Sequence, residues 1–285
     1  MRWSERQIAM LNEMGLRLPA QSLREDTSSP LPPSGRGEGN AGALPGPRPR
    51  AHAASPARAE PVEAPVPDHP STSSGRSAVV THIRPANVES MDWPALREAV
   101  ANCTACKLCE GRRQTVFGVG HLRAHWMIVG EAPGEQEDIQ GEPFVGKSGQ
   151  LLDNMLRAIG LGRQAPGDGA AADPERQVFI ANTLKCRPPG NRNPLPEELA
   201  QCEPFLVRQV QLVQPRIILA MGRFAVQSLL RSHEPIGKLR GRVHHYHGVP
   251  LIVTYHPAYL LRNPEDKARA WDDLCLAVET AAAGV

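Results

Sequence analysis

The sequence predicts an α/β fold: a three-layer α/β/α sandwich with a central, mainly parallel four-stranded sheet. Four short apolar runs have the length and continuous hydrophobicity of buried parallel strands. Helical patterns separate them, and strands joined by helices imply right-handed crossovers and a sheet covered on both faces. The predicted strands are Trp126–Val129, Val178–Ala181, Ile217–Ala220 and Leu251–Thr254.

The predicted helices show apolar residues at helical spacing. Before the first strand, the segment DWPALREAVANC places Trp93, Leu96 and Val100 on one face. The other helical patterns cover Ser148–Ile159, Pro196–Val213, Arg223–Arg231 and Glu265–Ala282.

The N-terminal part has a different composition from the rest. Residues 4–17 have apolar positions compatible with one short amphipathic helix. Residues 22–86 are rich in Pro, Ala, Gly, Ser and Arg, a composition that cannot offset the entropy of ordering, so we predict a disordered linker. The expected organisation is a tail over residues 1–90 and one folded domain over residues 91–285.

Charge and hydropathy exclude some functional classes. The net charge of +2 is too small to indicate nucleic-acid or membrane binding by bulk electrostatics, so any such partner must meet local patches. Neither a signal peptide nor an apolar run of membrane-spanning length is recognisable. Six cysteines without a secretion signal favour metal ligands or buried thiols in a reducing compartment. We therefore expect a cytoplasmic protein with no membrane partner.

The most unusual stretch is VGEAPGEQEDIQGEPFVGKS, residues 129–148, which follows the first predicted strand. In open α/β sheets ligands bind outside the carboxyl ends of the strands, so this loop and those after the other three strands should meet at one edge. Its last eight residues match the phosphate-loop pattern G-x4-G-K-S. A phosphate loop would require a strand directly before its first glycine, whereas the strand here ends about ten residues earlier, so we disfavour this alternative.

The cysteines suggest a metal site. Cys103 and Cys106 form a C-x2-C pair, and Cys186 and Cys202 follow at the second strand and in the next helix. Four thiolates suit either zinc or a [4Fe-4S] cluster, and spacing alone does not decide between them. Unconnected core cysteines are the other interpretation.

Several motifs together resemble the family 4 uracil-DNA glycosylases, which are iron–sulfur members of the uracil-DNA glycosylase superfamily. The resemblance covers nearly all of residues 95–265. It rests on CTACKLCEGRRQTVFGVG, VGEAPGEQED, GEPFVGKSGQLLDNML, ANTLKCRPPGNRNPLPEE and YHPAYLLRNP, in this order. It implies excision of uracil from DNA by a monomer that initiates base excision repair. It also implies a [4Fe-4S] cluster held by the cysteines at 103, 106, 186 and 202, with no ligand expected at Cys109.

The resemblance also assigns a uracil pocket. Phe144 would stack on uracil, although a core Phe is the alternative. The Asn182 amide can accept from uracil N3–H and donate to O4, the opposite of what cytosine presents there, although helix capping is another role for this residue. His256 would donate to uracil O2 as negative charge develops.

The carboxylates of the acidic loop are harder to assign. The resemblance points to Glu131 and Glu137, and it does not separate their roles. Ala132 would also line the pocket. The family 1 enzymes carry an Asp at this place, so water activation cannot be transferred from them.

The segment after His256 resembles a loop that enters DNA where the base has left. Leu260 and Leu261 would form an apolar wedge, and Arg262 would contact phosphate. Lys185 and Arg187 would belong to a local basic patch.

Two other functions remain to be distinguished. A non-catalytic metal-bearing module would bind DNA without releasing uracil. A related subgroup becomes covalently linked to the sugar through an inserted histidine loop, but LKCRPPGNRNPLPEE contains no histidine at the corresponding place, which predicts turnover.

Overall fold

The structure is a computed structural model that describes residues 85–163 and 173–283. The predicted N-terminal helix lies outside these residues, as does nearly all of the predicted linker. Packing into the core already begins at Val88, which is buried. None of the helices described is long and apolar enough to cross a membrane.

Along the described residues, the central strands and the five predicted helices alternate as the sequence predicts, whereas four shorter helices were not predicted. The helices are α1 Trp93–Ala101, α2 Leu108–Gly111, α3 Glu135–Gln140, α4 Gly146–Ala158, α5 Pro196–Val213, α6 Arg223–Leu230, α7 Ile236–Leu239, α8 Pro257–Arg262 and α9 Lys267–Ala283. The strands are β1 Val119–Gly120, β2 Trp126–Gly130, β3 Val178–Asn182, β4 Ile217–Met221, β5 Val243–Tyr246 and β6 Val249–Thr254.

Within the described residues the sheet has six strands rather than the predicted four, in the order β1-β3-β2-β4-β6-β5. The four predicted strands form its parallel centre, and β1 and β5 add antiparallel edges. The edge strands lack an apolar run, since β1 has only two residues and β5 carries His244 and His245 between Val243 and Tyr246.

Helices cover both faces of the sheet, which confirms the three-layer arrangement. Alternate residues of each central strand point to opposite faces. Ile128 packs on one side in a cluster with residues of α4 and α9, whereas Met127 packs on the other side with residues of α1, α5 and α6. Leu152 and Met155 of α4 are fully buried, so truncating either to alanine should cost about 2–5 kcal/mol.

The carboxyl ends of the central strands lie side by side, and backbone hydrogen bonds extend beyond them. Thr183 N donates to Gly130 O at 2.9 Å, and Gly222 N donates to Thr254 O at 3.0 Å. The first residues of the four loops are thereby held at one edge of the sheet.

Candidate functional site

A single cleft receives residues from the ends of all four central strands. Glu131 and Ala132 follow β2, Asn182 ends β3, Arg223 follows β4, and His256 follows β6, and all of them line the cleft. The sequence-based expectation that these loops meet at one edge is confirmed.

The Asn182 side chain is packed tightly at the floor of the cleft, where it is 2 % exposed. A Cβ added to Gly130 on the neighbouring strand would lie 2.5 Å from Asn182 Oδ1 and 2.5 Å from Phe144 Cζ. Because glycine has no side chain, the Asn182 amide and the Phe144 ring can approach each other next to Gly130.

Phe144 lines the cleft, but the residue is only 5 % exposed and belongs to the core cluster on one face of the sheet. Its backbone has a φ of 53°, in the left-handed region that non-glycine residues rarely adopt. Arg163 Nη1 holds this conformation by donating to Phe144 O at 3.1 Å and to Pro143 O at 3.0 Å. Arg163 was not predicted as a site residue, because its partners lie about twenty residues away in the sequence.

The Phe144 ring stacks on the imidazole of His256, with centroids 5.2 Å apart and planes inclined by 24°. Rings at this separation are already in contact, so no base fits between them. A base that stacks on Phe144 must use the other face of the ring or displace the imidazole.

His256 caps the N-terminus of α8, where its Nδ1 accepts from Ala258 N at 3.1 Å. In a neutral ring the other nitrogen then carries the proton, which makes Nε2–H the free donor. Burial, together with the positive charge of Arg262, lowers the pKa of His256 to about 4. The imidazole is therefore neutral near pH 7. Gly222 lies against it, since a Cβ there would be 3.0 Å from His256 Cβ.

Glu131 lies in the cleft, and its carboxyl group has a raised pKa. Burial raises its pKa to about 7, and the nearby positive charge of Arg223 opposes this shift. Its backbone is fixed because Glu131 O accepts from Thr183 Oγ1 at 2.6 Å and from Leu184 N at 3.0 Å. Arg223 was not predicted as a site residue, although it lies three residues after the predicted strand Ile217–Ala220.

Glu137 lines the cleft, but both of its carboxylate oxygens are engaged by the backbone. Oε2 accepts from Gly134 N at 3.1 Å, and Oε1 accepts from Val145 N at 3.0 Å. The side chain thus joins the start of α3 to the start of α4. This arrangement shapes the loop around Phe144.

Two of the predicted DNA contacts need correction. Lys185 is 1 % exposed, and its ammonium group donates to Asn182 O and Gln209 Oε1, so it cannot reach phosphate from this position. Leu260 is fully buried in the core, because it points inward from α8.

The other predicted contacts lie at the surface or the cleft. Leu261 is 44 % exposed, and Arg262 lines the cleft beside it. Arg187 is 3.8 Å from Glu135, an ion pair of the kind that contributes little at a protein surface.

The four predicted ligand cysteines, Cys103, Cys106, Cys186 and Cys202, line one apolar cavity. Their sulfurs lie among donors, since Lys185 N is 3.3 Å from the sulfur of Cys202 and Arg112 Nη1 is 3.1 Å from that of Cys186. Burial raises the pKa of Cys186 to about 11, and Arg112 opposes this shift.

The arrangement of the four thiols suits a metal cluster rather than a single metal ion. In the part of the chain that the structure describes, no three His, Cys, Asp or Glu side chains converge closely enough to hold one ion. A four-iron cluster is wider than one ion, so its ligands need not converge on a single point. Four thiols around an apolar cavity with nearby N–H donors fit such a cluster in chemistry and number.

Comparisons with known proteins place the chain in a family. Residues 117–275 match the Uracil DNA glycosylase superfamily. A type-4 uracil-DNA glycosylase of Pyrobaculum aerophilum is 40 % identical over 196 residues, which cover 65 % of this chain and 93 % of that protein. One from Thermotoga maritima is 41 % identical over 174 residues, or 60 % of this chain and 84 % of that protein.

A type-5 uracil-DNA glycosylase of Thermus thermophilus is more distant, at 30 % identity over 193 residues, which cover 56 % of this chain and 86 % of that protein. The higher identity to the type-4 proteins agrees with the motifs that the sequence analysis identified. The chain belongs to the uracil-DNA glycosylase superfamily and, within it, to the type-4 uracil-DNA glycosylases.

Proposed function

We propose that the protein excises uracil from DNA by hydrolysing the N-glycosidic bond, which initiates base excision repair. The observation that carries the proposal is the neutral His256, whose Nδ1 is occupied by Ala258 N and whose Nε2–H is left to donate. It lines the same cleft as Asn182 and Phe144. The proposed partner is DNA, bound by a monomer in the cytoplasm.

Recognition begins with a uracil that has left the DNA stack, at a cost of a few kcal/mol. The Asn182 amide accepts from uracil N3–H and donates to O4, and cytosine offers the opposite pattern. Stacking on Phe144 offsets about 1–3 kcal/mol of the cost, once the ring face taken by His256 is freed or the other face is used.

Bond cleavage leaves negative charge on the uracil ring. His256 donates from Nε2 to uracil O2, where a preorganised donor contributes a few kcal/mol to transition-state stabilisation. Because the imidazole is neutral, it acts by hydrogen bonding, and its proton stays on Nε2.

Glu131 is the carboxylate that we assign to the sugar and the water. Both oxygens of Glu137 accept backbone N–H groups, whereas Glu131 lines the cleft and is held there through its backbone carbonyl. In its ionised form it orients water and stabilises the cationic sugar.

We further propose that the thiols of Cys103, Cys106, Cys186 and Cys202 hold a [4Fe-4S] cluster. Bound there, the cluster would have a structural role. It would pin the segment after α1 to the loop after β3, and that loop directly follows Asn182.

At the DNA surface, Leu261 rather than Leu260 is the apolar residue that can enter the space left by the base. Arg262 and Arg187 are the proposed phosphate contacts.

The test is release of free uracil from single-stranded and duplex oligonucleotides by protein whose absorbance near 400 nm reports the cluster. Asn182→Ala and His256→Ala should abolish release while retaining that absorbance. Cluster-loaded protein that binds the DNA but releases no uracil would instead support a non-catalytic DNA-binding module. A DNA adduct stable to denaturant would indicate covalent trapping.

A further inference from the structure

Lys185 is a buried lysine at the centre of a polar chain behind the cleft. Its Nζ donates to Asn182 O at 2.8 Å and to Gln209 Oε1 at 2.6 Å. Gln209 is fully buried on α5, and its Nε2 donates to Phe117 O at 2.8 Å. The end of β3 is thereby bonded to a helix on one face of the sheet.

The backbone of Lys185 is fixed as well. Lys185 N donates to Cys202 Sγ at 3.3 Å, and Lys185 O accepts from Val116 N at 2.8 Å. Its side chain therefore runs back from the cysteine-lined cavity towards Asn182. One residue is bonded to the backbone of the proposed uracil-recognition residue and to one of the proposed cluster ligands.

An ammonium group at this depth requires compensation. Burying a charge costs several kcal/mol, and replacing it with an apolar side chain of similar volume is often neutral or stabilising. The surroundings supply two oxygen acceptors, and the cysteines at 186 and 202 interact with the ammonium electrostatically. The buried lysine is therefore a less favourable way to fill this space than an apolar residue. Its ammonium group acts directly on Asn182, through the hydrogen bond to the Asn182 carbonyl.

We propose that Lys185 is a positioning residue for uracil recognition. It fixes the carbonyl of Asn182, and with it the orientation from which the amide meets the base. The inference rests on the proposed function and concerns how accurately the protein recognises uracil. A misplacement of about 1 Å in a positioned group can lower a rate about 100-fold, so an anchor at this carbonyl has a measurable effect.

The test uses Lys185→Met in cluster-loaded protein, because methionine nearly fills the volume and removes the donor. The inhibition constant of free uracil should rise about tenfold or more. Affinity for DNA carrying an abasic-site analogue should stay within about twofold, because that ligand offers no base to Asn182. All samples are compared at equal absorbance near 400 nm per protein.

Gln209→Met is the second variant, for the case in which Lys185→Met does not fold. It keeps the lysine and the cysteines, releases the ammonium from α5, and should weaken inhibition by uracil in the same direction. Arg208→Met is the matched control on the same helix. It loses the bonds from Arg208 Nε to Met91 O and from Arg208 Nη1 to Gln211 Oε1, neither of which involves Lys185 or Asn182, and should leave uracil inhibition unchanged.

An unchanged uracil inhibition constant in the folded variants would overturn the inference. Equal weakening of uracil and abasic DNA would also overturn it, because that pattern reports general damage to the fold. Uracil release by the unaltered protein is measured in parallel, so a failure of the proposed function is recognised independently.

Discussion

Gly130→Ala should disable the cleft through one added methyl group. The new Cβ would lie 2.5 Å from both Asn182 Oδ1 and Phe144 Cζ, and ordinary contact requires at least 3.4 Å, so these groups must retreat by about 1 Å. A displacement of this size costs about 100-fold in rate when it affects a positioned group. We therefore expect kcat/KM for uracil release to fall about 100-fold, equivalent to about 2.7 kcal/mol of transition-state stabilisation.

The assay is steady-state release of uracil from a single-stranded oligonucleotide, combined with thermal unfolding. Overpacking should also lower stability by about 1–3 kcal/mol, so the variant is assayed well below its Tm. Gly111→Ala is the matched control, because a Cβ there would meet nothing within 4 Å. If folded Gly130→Ala retained wild-type kcat/KM, the assignment of the cleft floor to Asn182 and Phe144 would be refuted.

Three further predictions follow from the site. The folded-state pKa of His256 is depressed to about 4 from a usual 6.5, so only the unfolded chain takes up this proton as pH falls from 6.5 towards 4. Stability should fall by up to about 3 kcal/mol over that window, and urea unfolding of His256→Gln at several pH values should show a smaller loss. Glu131→Gln should lower kcat about 10²–10⁴-fold with little change in KM, and should abolish an acidic limb near pH 7 in the rate profile. If the acidic limb persisted in Glu131→Gln, it would arise from the titration of another group. Cys202→Ala should lose the absorbance near 400 nm, whereas Cys109→Ala, which does not line the thiol cavity, should retain it.

The centre of the fold was predictable from sequence because burial on both faces leaves a continuous apolar run. Strands β2, β3, β4 and β6 are of this kind. The edge strands were not predicted, since pairing on one side imposes no such pattern. β1 is too short to show a period, and β5 has an exposed, histidine-containing sequence.

The site was predictable in position but not in all of its contacts. The rule for strand ends placed Asn182 and His256 at one edge of the sheet. Residue type suggested an exposed Lys185, whereas its acceptor on Gln209 is brought near only by tertiary packing. Leu260 and Leu261 were treated alike, although neighbouring residues of a helix point about 100° apart, so only one of them faces solvent.

The left-handed backbone of Phe144 is a local strain that the packing of its own side chain offsets. A residue other than glycine in this region costs about 1–2 kcal/mol, and glycine would avoid most of that cost. The residue is buried in the core, however, and truncating a buried Phe costs about 3–5 kcal/mol, so the packing of the ring outweighs this strain. Engineering for higher thermal stability should leave this strained residue in place and introduce stabilising substitutions in helices far from the cleft.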